Sequence, residues 1–266
     1  MAAAKRSGAA RRAPRLLIVS GPTREPIDPV RFLSNYSTGL LGALLSEEAR
    51  CREYPVRMVS GPSEVRPPKT VFVEWVERAD QMDRALRRQA PWADVIIMAA
   101  AVCDYRPAII RRRKVARYGS LTLRLVATPD LIARLPRRAG QLVVGFALES
   151  EAALQHARRK LSAKRLDLIV GQRMDASGGP FGARAVNAFL LAASGELTTL
   201  ERTTKRQLAR AILDKIERLW YGAVPARRAA RSPQPRTRRH RREPSLIHGT
   251  RLVASLPLSR FGMACA

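Results

Sequence analysis

Residues 95–101 read VIIMAAA, seven apolar side chains without a break. An amphipathic helix would interrupt such a run with a polar face and a half-exposed strand would alternate, so the pattern is that of a strand buried on both faces. Residues 16–20 (LLIVS) and 142–146 (LVVGF) share it, and 56–60 (VRMVS) nearly does. Gly21-Pro22 ends the first and Gly61-Pro62 the third. A strand over 71–76 precedes a helix carrying Met82, Leu86 and Trp92. Residues 38–50 place Leu40, Leu41, Leu44, Leu45 and Ala49 on one helical face, with Ser37 or Thr38 as N-cap.

Further along, the pattern predicts a short strand at 121–126 and a helix opening at Pro129-Asp130. A helix over 152–164, strands at 168–170 and 187–193, and a last helix over 204–220 follow. Alternating strands and helices predict an α/β fold, a Rossmann-like and mostly parallel sheet with helices on both faces. No internal repeat is visible.

The formal net charge of +27 suggests a nucleic-acid partner, but its distribution argues otherwise. Residues 1–15 hold five Lys/Arg and no acid, and residues 223–266 hold ten Arg against one Glu, so about half the excess lies at the two ends. These read as a basic disordered extension and an Arg/Pro-rich disordered tail around one domain at 16–222. The tail suits non-specific, salt-sensitive polyanion binding and says little about the folded part. Three scattered cysteines, Cys51, Cys103 and Cys265, exclude a disulfide framework or a paired-cysteine zinc site. They fit a reducing, cytoplasmic setting. No apolar run is long enough to span a membrane, and no apolar segment follows the basic N-terminus as a secretory signal requires.

Between the first strand and its helix lies a seventeen-residue stretch, long for a compact α/β domain, and such loops are often functional. In these sheets ligands sit beyond the strands' C-terminal ends, beside helix N-termini whose free N–H groups suit phosphate. Ser37, Thr38 and Gly39 are at such an N-terminus, and Gly39 would let a phosphate approach the backbone. The pattern is neither the dinucleotide GxGxxG nor the P-loop GxxxxGK[ST].

The whole string from residue 21 to residue 42, GPTREPIDPVRFLSNYSTGLLG, resembles the signature of the phosphopantothenoylcysteine synthetase family, whose members read close to GPTREPIDPVRxISNxSSGxxG. The resemblance continues in order over roughly residues 15–220. AAAVCDYRP (99–107) is similar to the family's AAVxDYRP, ATPD (127–130) to its xTPDI turn, and VGFALE (144–149) to VGFAAE. Two segments depart. KVAR at 114–117 keeps only the first lysine of a KIKK flap motif, and Gly171-Gln172-Arg173 stands where Ala-Asn-Asp is usual.

The resemblance implies a ligase of coenzyme A synthesis that activates 4′-phosphopantothenate with CTP, in preference to ATP. An acyl-nucleotide forms, pyrophosphate leaves, and the amine of cysteine attacks. It further implies Mg²⁺ held with Asp104 and a homodimer whose partner residues line each site; no motif of the family's frequent fusion partner, a flavin-dependent decarboxylase, is visible, so no flavin is expected. Asn35 would orient the acyl intermediate with Arg31, and Lys114 would sit on a mobile flap over the triphosphate. Lys160 and Lys164, four apart on one helix, would hold its phosphates, and Phe146 would face the base. Gly21, Ala99, Ala100, Pro129, Asp130 and Leu131 complete the implied ligand contacts. Cys103, with no histidine near in sequence, reads as a packed side chain.

Two other classes are open to the sequence alone. A nicotinamide-dependent reductase needs a Gly-rich turn directly after the first strand, and GPTREP does not supply one. A catalytically decayed synthetase domain, acting as a basic nucleotide- or nucleic-acid-binding protein, would fit the altered KVAR and Gly171–Arg173 segments.

Overall fold

The computed structural model describes residues 12–117, 119–149, 153–173 and 180–222. The whole of the expected 223–266 tail and residues 1–11 of the N-terminal extension lie outside them. Strands β1 (Leu16–Ser20), β4 (Val56–Ser60), β5 (Phe72–Trp75), β6 (Val95–Met98), β9 (Leu142–Glu149) and β10 (Leu168–Arg173) run parallel. Antiparallel β11 (Val186–Ala192) and β12 (Leu197–Thr203) extend one edge, giving the order β12-β11-β10-β9-β6-β1-β4-β5. The expected α/β sheet is present.

β1 shows why its apolar run is unbroken. Leu16 and Ile18 pack under α1 (Leu40–Cys51) and α4 (Lys205–Gly222), against Leu45, Leu208, Ile212 and Ile216. Leu17 and Val19 point the other way, into the layer made by Met82 and Leu86 of α2 (Ala79–Gln89) and Ala157 of α3 (Ala153–Ala163). Every residue of β1 is buried, each large apolar side chain contributing about 1.5–3 kcal/mol by leaving water.

Several local expectations change. The long loop after β1 contains a hairpin, β2 (Arg24–Pro26) with β3 (Phe32–Ser34). Tyr105–Pro107 (β7) pairs with Leu125–Ala127 (β8), so the strand expected at 121–126 begins later. The helix expected at Pro129 is only a turn over residues 131–134: the Asp130 carboxylate accepts the Ile132 and Ala133 amides, and Pro136 bars continuation. Trp92 lies in a separate 3₁₀ turn, Ala90–Trp92. Neither Ser37 nor Thr38 caps α1. Gly39 does, at φ 78°, because the chain must turn through the left-handed region there.

The domain also begins before Leu16. Arg12 donates two hydrogen bonds to the Asp94 carboxylate, at 2.7 and 2.9 Å, while the Arg15 amide and guanidinium and Arg138 share the same group. The Arg12 carbonyl in turn accepts the Trp220 indole N–H, joining both ends of the fold. Arg12 and Arg15 therefore belong to the folded unit, because a buried carboxylate requires their charge.

Burial pushes the Asp94 carboxyl up, yet the hydrogen bonds from Arg12, Arg15 and the Arg15 amide outweigh it and hold the group well below the usual carboxylate range. A depressed folded pKa contributes stability that is present above the unfolded value of about 4 and is lost as pH falls towards the folded value. Asp94→Asn is expected to cost about 1–3 kcal/mol at pH 7, less than a wholly buried pair because the arginines are partly solvated. Denaturation against pH checks it: the variant's deficit should shrink below pH 4.

Gly42 packs α1 onto β1. A Cβ there would lie 2.4 Å from Ser20 Cβ and nearer still to its hydroxyl, so rotating the serine gives no relief. Gly42→Ala, which in an open helix would gain up to about 1 kcal/mol, should here lose about 1–3 kcal/mol by overpacking. Thermal melting gives the sign.

Candidate functional site

The parallel strands end on one edge of the sheet, and there the chain after β6 leaves the sheet beside the loop after β1. Ala101 is the junction. Its N–H donates to the Gly21 carbonyl at 3.0 Å, and its carbonyl accepts the Thr23 amide at 3.3 Å and the Asn35 side-chain amide at 2.9 Å. Two residues on, the Cys103 amide donates to Thr23 Oγ1 at 3.0 Å and the Cys103 carbonyl accepts the Thr128 hydroxyl at 2.5 Å. Burial pushes the Cys103 thiol up, as a packed and unreactive side chain requires.

Around this junction lies a cavity of about 390 Å³. Asn35, Ser37, Thr38, Gly39 and the first turn of α1 form one wall, Ala99, Ala100 and Asp104 another, and Phe146, Lys160 and Gln172 a third. A side lobe of about 230 Å³ shares Ala100, Asp104, Phe146 and Lys160, and adds Pro129, Asp130, Leu131 and Lys164. Thirteen of the sixteen residues expected from the sequence thus meet around one cleft, the size of a small-ligand site.

The polar groups here are only partly committed. The Lys160 ammonium donates to the Phe146 carbonyl at 2.7 Å, and the Lys164 ammonium pairs with Asp130 at 2.8 Å. Burial raises the Asp130 carboxyl, but Lys164 and the Ala133 amide more than offset it, so the group stays ionised. The Gln172 side-chain nitrogen is buried without a hydrogen-bond partner, which costs stability. Asp104 is exposed to the cleft, and no cluster of three metal-ligating side chains occurs among the described residues.

These features meet a close match among known proteins. Residues 12–219 match the family described as DNA/pantothenate metabolism flavoprotein C-terminal domain. The chain belongs to that family. The coenzyme A biosynthesis bifunctional protein CoaBC of Vibrio vulnificus is 36% identical over 209 residues, 77% of this chain and 52% of that protein. A protein named cysteine/cysteine sulfinic acid decarboxylase, from an unknown prokaryote, is also 36% identical, over 76% of this chain and 57% of its own length. The chain thus spans about half the length of these curated relatives. A crystal structure of the C-terminal domain of a CoaBC protein superposes with a TM-score of 0.68 at 33% identity, covering 80% of this chain and 99% of that one.

Three expected residues stand apart from the cleft: Gly21, Arg31 and Lys114 line neither part of it. Gly21, at φ 74°, turns the chain against Ser63 and Gly61 and binds Ala101. The Arg31 guanidinium is held by Asp28 and by the Val115 carbonyl at 2.8 Å. Lys114 is exposed on the segment that this contact secures.

Asp28, missed by the sequence reading, is the anchor. It accepts the Val30 and Arg31 amides at 2.9 Å, the Arg31 side chain, and the Val115 amide at 3.1 Å. The Arg31 hydrogen bond, with lesser help from these amides, outweighs desolvation and holds its carboxyl well below the usual range. Its signal was in plain view: an aspartate before proline and three residues ahead of an arginine is a turn-forming arrangement. Glu25, also missed, caps α2 by accepting the Ala79 amide at 2.8 Å. Tyr36, Phe181 and Lys205 also line the cavity and carried no signal.

Asp28→Ala should free the segment around Lys114 without unfolding the domain. Trypsin should then cut within residues 111–117 several-fold faster than in the parent protein, while the melting transition stays cooperative. Equal cleavage rates would mean the strap is held elsewhere.

Proposed function

We propose that this chain is a phosphopantothenate–cysteine ligase acting in coenzyme A biosynthesis, with CTP as the activating nucleotide. The observation that carries the reading is the cleft itself. It combines a helix N-terminus, an amide side chain, ammonium groups and an aromatic ring within one ligand-sized space at the sheet's ligand edge.

In the proposed reaction an oxygen of the 4′-phosphopantothenate carboxylate attacks the α-phosphorus of CTP. Pyrophosphate leaves and an acyl-cytidylate forms. The amine of cysteine, having lost its proton to solvent, then attacks the acyl carbon; CMP departs and an amide remains. Charge builds on phosphate oxygens in the first step, so cations fixed beforehand lower the barrier. Lys160 and Lys164 are assigned that role, since one faces both parts of the cleft and the other its side lobe. The N-terminus of α1, from Ser37 to Gly39, is assigned an anionic oxygen. Asn35 orients the acyl group, its carbonyl free while its nitrogen holds Ala101. Phe146 is assigned the cytosine ring.

Asp104 suits a Mg²⁺ ion, because this metal commonly takes one or two carboxylates and completes its shell with phosphate oxygens and water. When bound, it would neutralise triphosphate charge. Arg31 and Lys114 are assigned to a homodimer, in which the strap held by Asp28 reaches the cavity of the partner subunit. Supporting this, Val30, next to Arg31, and Ile109 and Ile110, just before that strap, expose apolar surface. No flavin is assigned. No helix among the described residues is long and apolar enough to cross a membrane.

The test is pyrophosphate release with phosphopantothenate, cysteine, Mg²⁺ and either CTP or ATP. Release with CTP, and amide product on adding cysteine, is expected; none with either nucleotide overturns the reading. Asn35→Ala should slow amide formation by roughly 100-fold, the usual scale for losing one positioned polar group. Removing residues 223–266 should leave turnover largely intact.

A further inference from the structure

Lys205 is the first residue of α4, and only 8% of its surface is exposed. Its place is set by a reciprocal cap: the Thr204 amide donates to the Gln207 side chain at 2.9 Å, and the Gln207 amide donates to the Thr204 hydroxyl at 3.2 Å. Two costs fall on the ammonium. The positive end of the α4 dipole repels it, and burial strips away much of its water.

Neither cost is offset by the protein. Among the described residues no carboxylate, carbonyl or hydroxyl pairs with the Lys205 ammonium, and burial alone pushes its pKa down from the ordinary lysine value. By contrast the other buried lysine of the same helix, Lys215, pairs with Glu196. Lys205 instead lines the cavity beside Leu40, Leu41 and Gly42, the first turn of α1, which has no acidic residue of its own. Around that cavity the charged lining is Asp104, Lys160 and Lys205 among the described residues.

We infer that Lys205 and the N-terminus of α1 together bind a phosphate group of a substrate. A cation held without a partner, lining the same cavity as the first turn of a helix whose Gly39 and Leu40 amides have only long side-chain contacts, leaves an anion as the missing component. The inference rests on the ligase reading for the ligand's identity. Two substrates carry the required chemistry, the nucleotide triphosphate and the phosphomonoester of 4′-phosphopantothenate.

The experiment is calorimetric binding of Mg·CTP, inorganic pyrophosphate and 4′-phosphopantothenate to the full chain and to its Lys205→Met and Lys205→Arg variants, with thermal melting of each unliganded protein. Lys205→Met should bind at least one of the three ligands about 10- to 100-fold more weakly, as loss of a charged hydrogen bond predicts. Its unliganded melting temperature should rise by about 2–4 °C, because an unpaired buried charge is removed. Lys205→Arg should recover part of the affinity.

Weakening confined to CTP and pyrophosphate assigns the triphosphate; weakening confined to phosphopantothenate assigns the phosphomonoester. A parent protein that binds none of the three overturns the ligase reading and this inference together. If the parent binds and Lys205→Met binds all three equally well, only the role of Lys205 is overturned. A lower melting temperature with unchanged affinities would make the lysine a packing residue, which also overturns it.

Discussion

The peptide unit of Ala101 fastens the site. Through its N–H and carbonyl it ties the end of β6 to Gly21, Thr23 and Asn35, three points on the loop that follows β1. Without that tie the loop would be a long excursion over a sheet edge. With it, the first turn of α1 and the chain from Ala99 to Asp104 become facing walls of one cavity. These hydrogen bonds are made by the protein alone, so the walls are set before any ligand arrives. That is the preorganisation a charged transition state requires.

Polar residues early in the loop do a different job from the one their pattern suggests. Thr23 receives Cys103, Glu25 caps α2, and Asp28 collects Arg31 and the Val115 amide. Each satisfies a backbone group that would otherwise be stranded where three connections cross. The side chains left facing the cavity are those of Asn35 to Thr38, all in the last part of the string. A long motif can therefore be mostly architecture, with the chemistry confined to one end.

This division explains what was legible in the sequence. The buried strands announced themselves because Leu16 to Val19 must satisfy a core on each side of the sheet. Ser37 to Gly39 were legible because ligands gather where a parallel strand hands over to a helix N-terminus, whereas the other cleft residues were expected only through the ordered motifs that resemble the synthetase family. What escaped depends on tertiary partners. Gly39 rather than Ser37 caps α1 because Ser63, from the next crossover, fills the space beneath it. Arg12 joins the fold because Asp94, more than eighty residues away, must be neutralised. β12 follows a tight turn at Gly195 and half its residues face solvent, so its alternation was the weaker cue. Lys205 carried none, since a lysine in a helix's first turn is ordinarily a solvated one.

The departure at Gly171–Arg173 then takes on a definite physical meaning. A Cβ on Gly171 would lie 2.0 Å from the Phe189 ring of the neighbouring strand. An alanine there would collide with that ring, so the glycine is what lets β10 pack against Phe189 of β11. The next residue, Gln172, lines the cavity, and its side-chain nitrogen is buried without a partner. Gln172 and Lys205 both line that one cavity, and each carries a polar group left without a partner among the described residues, at a cost in stability.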